Sequence, residues 1–128
     1  MKLSEYFENT KGKGVLATCD ASGNVNAAVY ARPHFMDEDT AALIMAERLS
    51  HENLKKNPHA VYLFMENSGE FMGKRLYLTM LGEEKNTELI DTLRRRKHYI
   101  PHDEYYNENK YLVTFRVDKV LPLIGSGD

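Results

Sequence analysis

The chain has 128 residues, of which 42% are hydrophobic and 28% are charged, and its formal net charge is −2. This length and composition are typical of one globular domain with a single hydrophobic core. The slightly acidic balance, with a pI near 6.2, argues against a dedicated nucleic-acid-binding protein, because such proteins are normally basic.

The chain also lacks the usual signals of a membrane or secreted protein. No run approaches the ~18 apolar residues that a membrane-spanning helix needs, and the acidic N-terminus lacks the apolar stretch of a signal peptide. The single cysteine, Cys19, cannot form an internal disulfide and is compatible with a reducing compartment. We therefore expect a cytoplasmic protein.

The predicted elements begin with a short helix over residues 3–11, capped by Ser4 and ended by Gly12 and Gly14. Turn residues and alternating apolar runs then predict, in chain order, a strand at 15–19, a hairpin loop at 20–24, strands at 25–35, 40–47, 59–65 and 70–82, a long helix at 83–99, a loop at 100–109 and a last strand at 110–121. Short strands, tight turns and one long helix favour a mainly β fold. We predict an antiparallel barrel with peripheral helices in one domain, 1–128.

Residues 46–58 (A-E-R-L-S-H-E-N-L-K-K-N-P) form the most informative segment, because an apolar strand runs directly into a short helix there. Ser50 is predicted as the N-cap, and proline after Asn57 ends the helix. A helix N-terminus presents free N–H groups and the positive end of the dipole, so it is suited to phosphate, with Arg48, Ser50 and Asn53 as side-chain donors. The alternative is an ordinary capped helix that binds nothing. Glu47 and Glu52 add negative charge nearby, which opposes anion binding.

The strand predicted at 25–35 has two different faces, because successive side chains of a strand point to opposite sides. One face carries Val25, Ala27, Val29, Ala31, Pro33 and Phe35, and the other carries Asn26, Ala28, Tyr30, Arg32 and His34. The second face can be a half-exposed polar surface, or a shelf on which a flat ring lies over Ala28 while Tyr30 and Arg32 hold its polar parts. Pro33 cannot donate a ladder hydrogen bond, so this strand is expected at an edge or to be bulged there.

Motifs for other kinds of chemistry are not found. His98 and His102 are four residues apart, but Pro101 interrupts the helix that would align them, so no metal site is expected. Cys19 and the serines lie outside nucleophile motifs, and the glycine patterns of Rossmann and P-loop nucleotide sites are absent from the sequence. The basic run at 94–97 suits a solvated helix end better than a nucleic-acid contact.

The order of several motifs resembles the pyridoxamine 5′-phosphate oxidase-like family of FMN-binding split β-barrels, in particular its small single-domain members. The matching pieces are G-V-L-A-T, then D-x-x-G-x-V-N-A, a polar and aromatic second strand, and R-L-S-H-E-N-L-K-K-N-P between two strands. The similarity covers most of residues 5–82. The resemblance implies a six- to seven-stranded antiparallel split β-barrel.

The resemblance also implies a homodimer with FMN in clefts at the subunit interface. The residues that it places near the cofactor are Ala28, Val29, Tyr30, Arg32, Met45, Arg48, Leu49, Ser50, Asn53, Lys74 and Arg75. Lys74 and Arg75 would come from the same subunit or from the other one. The C-terminal segments that bind pyridoxine phosphate in the family have no match here, so pyridoxamine phosphate oxidase activity is not expected.

Two classes of function follow. The first is an FMN-dependent oxidoreductase or electron carrier, in which the flavin performs the chemistry with a small redox partner. The second is a non-catalytic module that stores or senses haem or flavin, because some proteins of this fold bind haem through histidine and this chain has five histidines. Neither a nucleic acid nor a membrane is expected as a partner, and the catalytic residues stay open.

Overall fold

The computed structural model describes residues 2–85, 87–96 and 110–125. In chain order its elements are α1 (Leu3–Asn9), β1 (Gly12–Cys19), β2 (Val25–Tyr30), β3 (His34–Asp37), β4 (Thr40–Ala46), α2 (Leu49–Lys56), β5 (His59–Glu66), β6 (Gly73–Glu84), α3 (Thr87–Arg96) and β7 (Lys110–Pro122). The seven strands form one sheet in the order β2-β1-β5-β6-β7-β4-β3, and every neighbouring pair is antiparallel. The predicted mainly β fold, a six- to seven-stranded antiparallel barrel, is confirmed, and the number of strands is seven.

The two edge strands of this sheet, β2 and β3, come from the single strand predicted at 25–35. The prediction of one continuous strand is therefore wrong. The chain leaves one edge of the sheet after Tyr30, passes through residues 31–33, and enters the opposite edge at His34. Because Pro33 has no N–H to donate, the ladder is interrupted where the sequence placed an edge or a bulge. This short link joins the two edges of the sheet.

The hydrophobic core lies inside the curved sheet. Its largest fully buried side chains include Tyr62, Phe7, Phe64, Phe115 and Leu16. A second, smaller cluster lies on the other side of β4 and β7, where Ile90 and Leu93 of α3 pack against Ala42 and Leu112. The helices are thus peripheral, as predicted.

The prediction that Gly14 helps to end the first helix is wrong, because Gly14 lies within β1. A Cβ atom there would lie 1.9 Å from the hydroxyl oxygen of Tyr62, whose side chain is fully buried. The Tyr62 hydroxyl donates to the carbonyl oxygens of Ala31, at 3.0 Å, and Tyr30, at 3.3 Å. Glycine is needed here for this close approach, and the tyrosine in turn holds the backbone at the point where β2 ends.

Several predicted boundaries differ from the structure. Ser4 is not a cap, since α1 is capped by Lys2 without a side-chain bond, and the Ser4 hydroxyl instead donates to the Glu38 carboxylate. Strand β6 continues to Glu84, because residues 82–84 pair with β7, so α3 begins at Thr87 rather than at residue 83. The predicted helix end at 97–99, the loop at 100–109, His98 and His102 lie outside the described residues. No helix in the described part of the chain is long and apolar enough to cross a membrane.

Candidate functional site

A cavity of about 550 Å³ lies between β2, β4 and the start of α2. This size is within the usual range of small-molecule sites. Seven of the eleven residues predicted for the cofactor line it: Ala28, Val29, Tyr30, Arg32, Arg48, Leu49 and Ser50. The polar-aromatic strand and the strand-to-helix turn, which are separate in sequence, therefore meet at one cavity. Whether these residues bind a ligand stays a prediction.

Strand β2 forms one wall of the cavity through its alternation. Ala28 pairs with Leu16, whose side chain is in the core, so Ala28 faces the barrel side together with Asn26 and Tyr30. On the opposite face Val25 and Val29 are 84% and 79% exposed. Because the side chain of Ala28 is only a methyl group, it leaves the wall flat. A planar ligand needs such a flat surface.

A hydrogen-bonded chain connects β2 to α2 at this wall. The Asn26 amide donates to the Ser50 hydroxyl at 3.2 Å, and the Ser50 side chain is also hydrogen-bonded to that of Tyr30. Burial raises the pKa of Tyr30, while the Ser50 hydrogen bond and the positive charge of Arg48 partly oppose this shift. Tyr30 is therefore a neutral phenol at physiological pH, and its ring borders the cavity.

The N-terminus of α2 opens toward the same cavity. Arg48 is the N-cap, in extended conformation and without a side-chain capping bond. The prediction that Ser50 caps the helix is wrong, because Ser50 lies inside the first turn and its hydroxyl bonds to Asn26 and Tyr30 instead. The first N–H groups of a helix have no intrahelical acceptor, so this turn presents backbone donors beside the Arg48 guanidinium.

The charge of the cavity is positive. Arg32, Arg48 and Lys110 line it, and the described lining residues include no aspartate or glutamate. Arg32 also donates through Nη1 to the carbonyl oxygens of Phe7 and Thr10, both at 2.9 Å, at the end of α1. Its guanidinium is thus held in place by the backbone. The lining combines apolar surface with three cationic side chains, which suits a flat ligand that carries an anionic group.

The other four predicted residues lie elsewhere in this chain. Met45 is fully buried in the core, and the Asn53 amide is buried and donates to the Thr18 hydroxyl at 3.1 Å. The Lys74 ammonium lies 4.7 Å from the centre of the Tyr6 ring. The Arg75 guanidinium donates to the carbonyl oxygens of residues 122 and 125, each at 2.8 Å. Within one chain, none of these four residues lines the cavity.

Behind the α2 turn lies a cluster of side chains that supports it. Fully buried His51 contacts the Glu83 carboxylate through Nε2, and its ring stacks on Tyr111 with centroids 4.5 Å apart. The Tyr111 hydroxyl donates to the Glu47 carboxylate at 3.0 Å. This hydrogen bond, followed by burial and the negative charges of Glu47 and Glu83, raises the pKa of Tyr111. The cluster ties both ends of the turn to β6 and β7.

Sequence reasoning missed several lining residues, among them Ile44, Ala46 and Lys110. Lys110 pairs with Ala46 in the β4–β7 ladder, so it reaches the cavity through long-range strand pairing. Only the register of that pair could have revealed it. Asn26 was placed on the correct face of β2, but its bond to Ser50 needs the approach of α2. Among the described residues, no group of three or more His, Cys, Asp or Glu side chains could hold a metal ion.

Comparisons with known proteins bear on the fold. No family model and no curated protein matches the chain. Among solved structures, an FMN-binding protein from Syntrophomonas wolfei is 21% identical, with a TM-score of 0.78 over 98% of this chain and 86% of that one. An F420 reductase is 13% identical, with a TM-score of 0.75 over 94% of this chain and 98% of that one.

A protein from Lactobacillus delbrueckii that is described as a candidate pyridoxamine 5′-phosphate oxidase is 16% identical, with a TM-score of 0.67 over 94% of this chain and 93% of that one. At these identities the likeness concerns the fold. The chain has the split β-barrel fold of pyridoxamine 5′-phosphate oxidase-like proteins.

Proposed function

We propose that this protein binds FMN in the cavity between β2, β4 and α2 and acts as a flavin-dependent oxidoreductase or electron carrier. The observation that carries the proposal is the meeting of a flat wall at Ala28 with the cationic helix start at Arg48 and Ser50. FMN has these two parts, a planar isoalloxazine and a terminal phosphate. The similarity to an FMN-binding protein and an F420 reductase agrees with a flavin-type cofactor.

The residues divide into two groups in this proposal. Arg48, Ser50 and the free N–H groups of α2 would hold the phosphate, because charge-assisted hydrogen bonds at a helix N-terminus suit an anion. Ala28 and Tyr30 would border the ring. Bound flavin accepts hydride or electrons, and the protein contributes binding and electrostatics. The positive charge of Arg32, Arg48 and Lys110 would favour the anionic cofactor and stabilise negative charge on the reduced ring.

We further propose that the protein is a homodimer that associates through the outer face of β2, β1 and β5. Val25 and Val29 are exposed on β2, and the strand register continues this apolar surface. Val15 lies opposite both Val29 and Leu63. A contiguous apolar face on an edge strand marks an interaction surface. In the dimer, Lys74 and Arg75 could meet the cofactor of the partner subunit, which is the remaining route for the predicted role of these residues.

The second candidate function is a haem-binding module, and one observation favours it. His34 lines the cavity, and a histidine nitrogen is the common axial ligand of haem iron. In this alternative the cationic lining would hold the haem propionates, which are also anions.

An absorption spectrum and a titration distinguish these two functions. The freshly purified protein should show flavin absorption bands, and the cofactor-free protein should bind FMN at one molecule per chain. A Soret band, together with no change on addition of FMN, would favour haem and reject the first proposal. The His34→Ala variant is the control, since it should abolish axial ligation of haem but leave the affinity for FMN within about twofold.

A further inference from the structure

Glu47 precedes Arg48 directly, so a carboxylate lies next to the turn that would bind the phosphate in the proposed function. An anion close to a phosphate opposes its binding, and the repulsion grows as the distance falls. Glu47 is exposed, yet it is not among the residues that line the cavity. The structure therefore keeps this carboxylate beside the site but outside it.

One contact that holds Glu47 in this position is the hydrogen bond from the Tyr111 hydroxyl to Glu47 Oε1, 3.0 Å long. Tyr111 itself is fixed, because its ring stacks on fully buried His51 at an interplanar angle of 16°. His51 is held in turn by the Glu83 carboxylate at the end of β6. The hydroxyl that donates to Glu47 thus belongs to a packed cluster of side chains from α2, β6 and β7.

We propose that Tyr111 is a positioning residue of the anion site, whose hydroxyl holds the Glu47 carboxylate against β7 and away from the phosphate-binding turn. This inference rests on the proposed function. It goes beyond that function because Tyr111 does not line the cavity and affects the ligand only through Glu47. The raised pKa of Tyr111, caused first by its hydrogen bond to Glu47, agrees with this arrangement.

The test compares FMN with riboflavin, which has the same ring system but no phosphate. Tyr111→Phe keeps the ring that stacks on His51 and removes only the hydroxyl that donates to Glu47. The expected result is a rise of roughly threefold to tenfold in the dissociation constant for FMN at low salt. Without the hydrogen bond from residue 111, the Glu47 carboxylate can approach the phosphate. Riboflavin affinity should not change. The effect on FMN should shrink in 0.5 M salt, where charges are screened beyond roughly 4 Å.

Two further variants separate this role from a structural one. Tyr111→Phe combined with Glu47→Gln should regain the parent's affinity for FMN, since the repelling charge is gone. Tyr6→Phe is the matched control, because the Tyr6 hydroxyl also donates to a carboxylate, that of Glu66 at 2.5 Å, away from the cavity. It should leave the affinity for FMN unchanged.

Each other outcome overturns the inference. Equal FMN affinity in Tyr111→Phe and the parent would show that Glu47 needs no holding. An equal loss of FMN and riboflavin affinity, or no recovery in the double variant, would show that Tyr111 supports the fold rather than the charge. Failure of the parent to bind FMN would reject the proposed function and this inference together. Failure of the inference alone is seen in the variants, while the parent still binds FMN.

Discussion

The close contact between Gly14 and Tyr62 gives a quantitative prediction about the frame of the cavity. Gly14→Ala places a Cβ 1.9 Å from the Tyr62 hydroxyl oxygen and 2.2 Å from ring carbon Cζ. Tyr62 lies on β5, which is between β1 and β6 in the sheet, and its side chain is fully buried, so its ring has no free space to move into. Overpacking of this kind costs about 1–3 kcal/mol.

Movement of the tyrosine would also weaken its hydrogen bonds to the carbonyl oxygens of Tyr30 and Ala31, each worth about 0.5–1.5 kcal/mol. The total loss is about 2–4 kcal/mol. A domain of 128 residues has an unfolding entropy of roughly 0.27 kcal/mol/K near its midpoint, so Tm should fall by about 7–15 °C.

Thermal unfolding followed by circular dichroism measures this change. Gly82→Ala is the matched control, because a Cβ at Gly82 has no atom within 4 Å and the backbone there is not in the left-handed region. Its Tm should equal that of the parent or rise by about 2–4 °C, since alanine is favoured over glycine in strands. If Gly14→Ala unfolds at the same temperature as Gly82→Ala, Tyr62 does not occupy the place described and the account of the cavity wall is wrong.

Three other predictions concern the site and the outer face. Arg48→Ala should raise the dissociation constant for FMN about tenfold and leave that for riboflavin unchanged, since one exposed charge-assisted bond to phosphate is worth ~1.5 kcal/mol; equal losses in both titrations would place the phosphate elsewhere. Ala28→Trp should purify folded but without flavin, because the indole occupies the flat wall. The control Ala21→Trp, in the exposed hairpin turn, should keep its flavin. A yellow Ala28→Trp protein would contradict the assignment of this face. Val29→Lys should convert a dimer into a monomer by light scattering, and an unchanged mass would exclude this face as the interface.

Much of the fold could be predicted from the sequence, because alternating strands and turn residues are local signals. The mainly β class and the two strands that flank residues 46–58 were found in this way, whereas the local signals gave six strands and the sheet has seven. The split of residues 25–35 was not, although Pro33 marked the place. Local sequence does not show that the chain crosses from one edge of the sheet to the other there, since this depends on which strands pair at long range.

The site was predictable where it depends on one element at a time. Alternation in β2 assigned Ala28 and Tyr30 to one face, and the strand-to-helix turn identified Arg48 and Ser50. Lys110 was missed because only the β4–β7 register brings it beside Ala46. The resemblance alone suggested Lys74 and Arg75, and in this chain they bind the Tyr6 ring and the backbone near the C-terminal end. Contacts made through tertiary packing, such as Tyr111 with Glu47, leave no pattern in the sequence.

The most direct test of FMN binding in this cavity is a titration followed by backbone amide NMR, with FMN and riboflavin added separately. The account predicts that both ligands shift the amides of residues 26–30, which border the ring. FMN alone should shift the amides of residues 48–50, where the phosphate binds. Shifts by FMN that spare residues 48–50, or shifts confined to another part of the chain, would contradict the account.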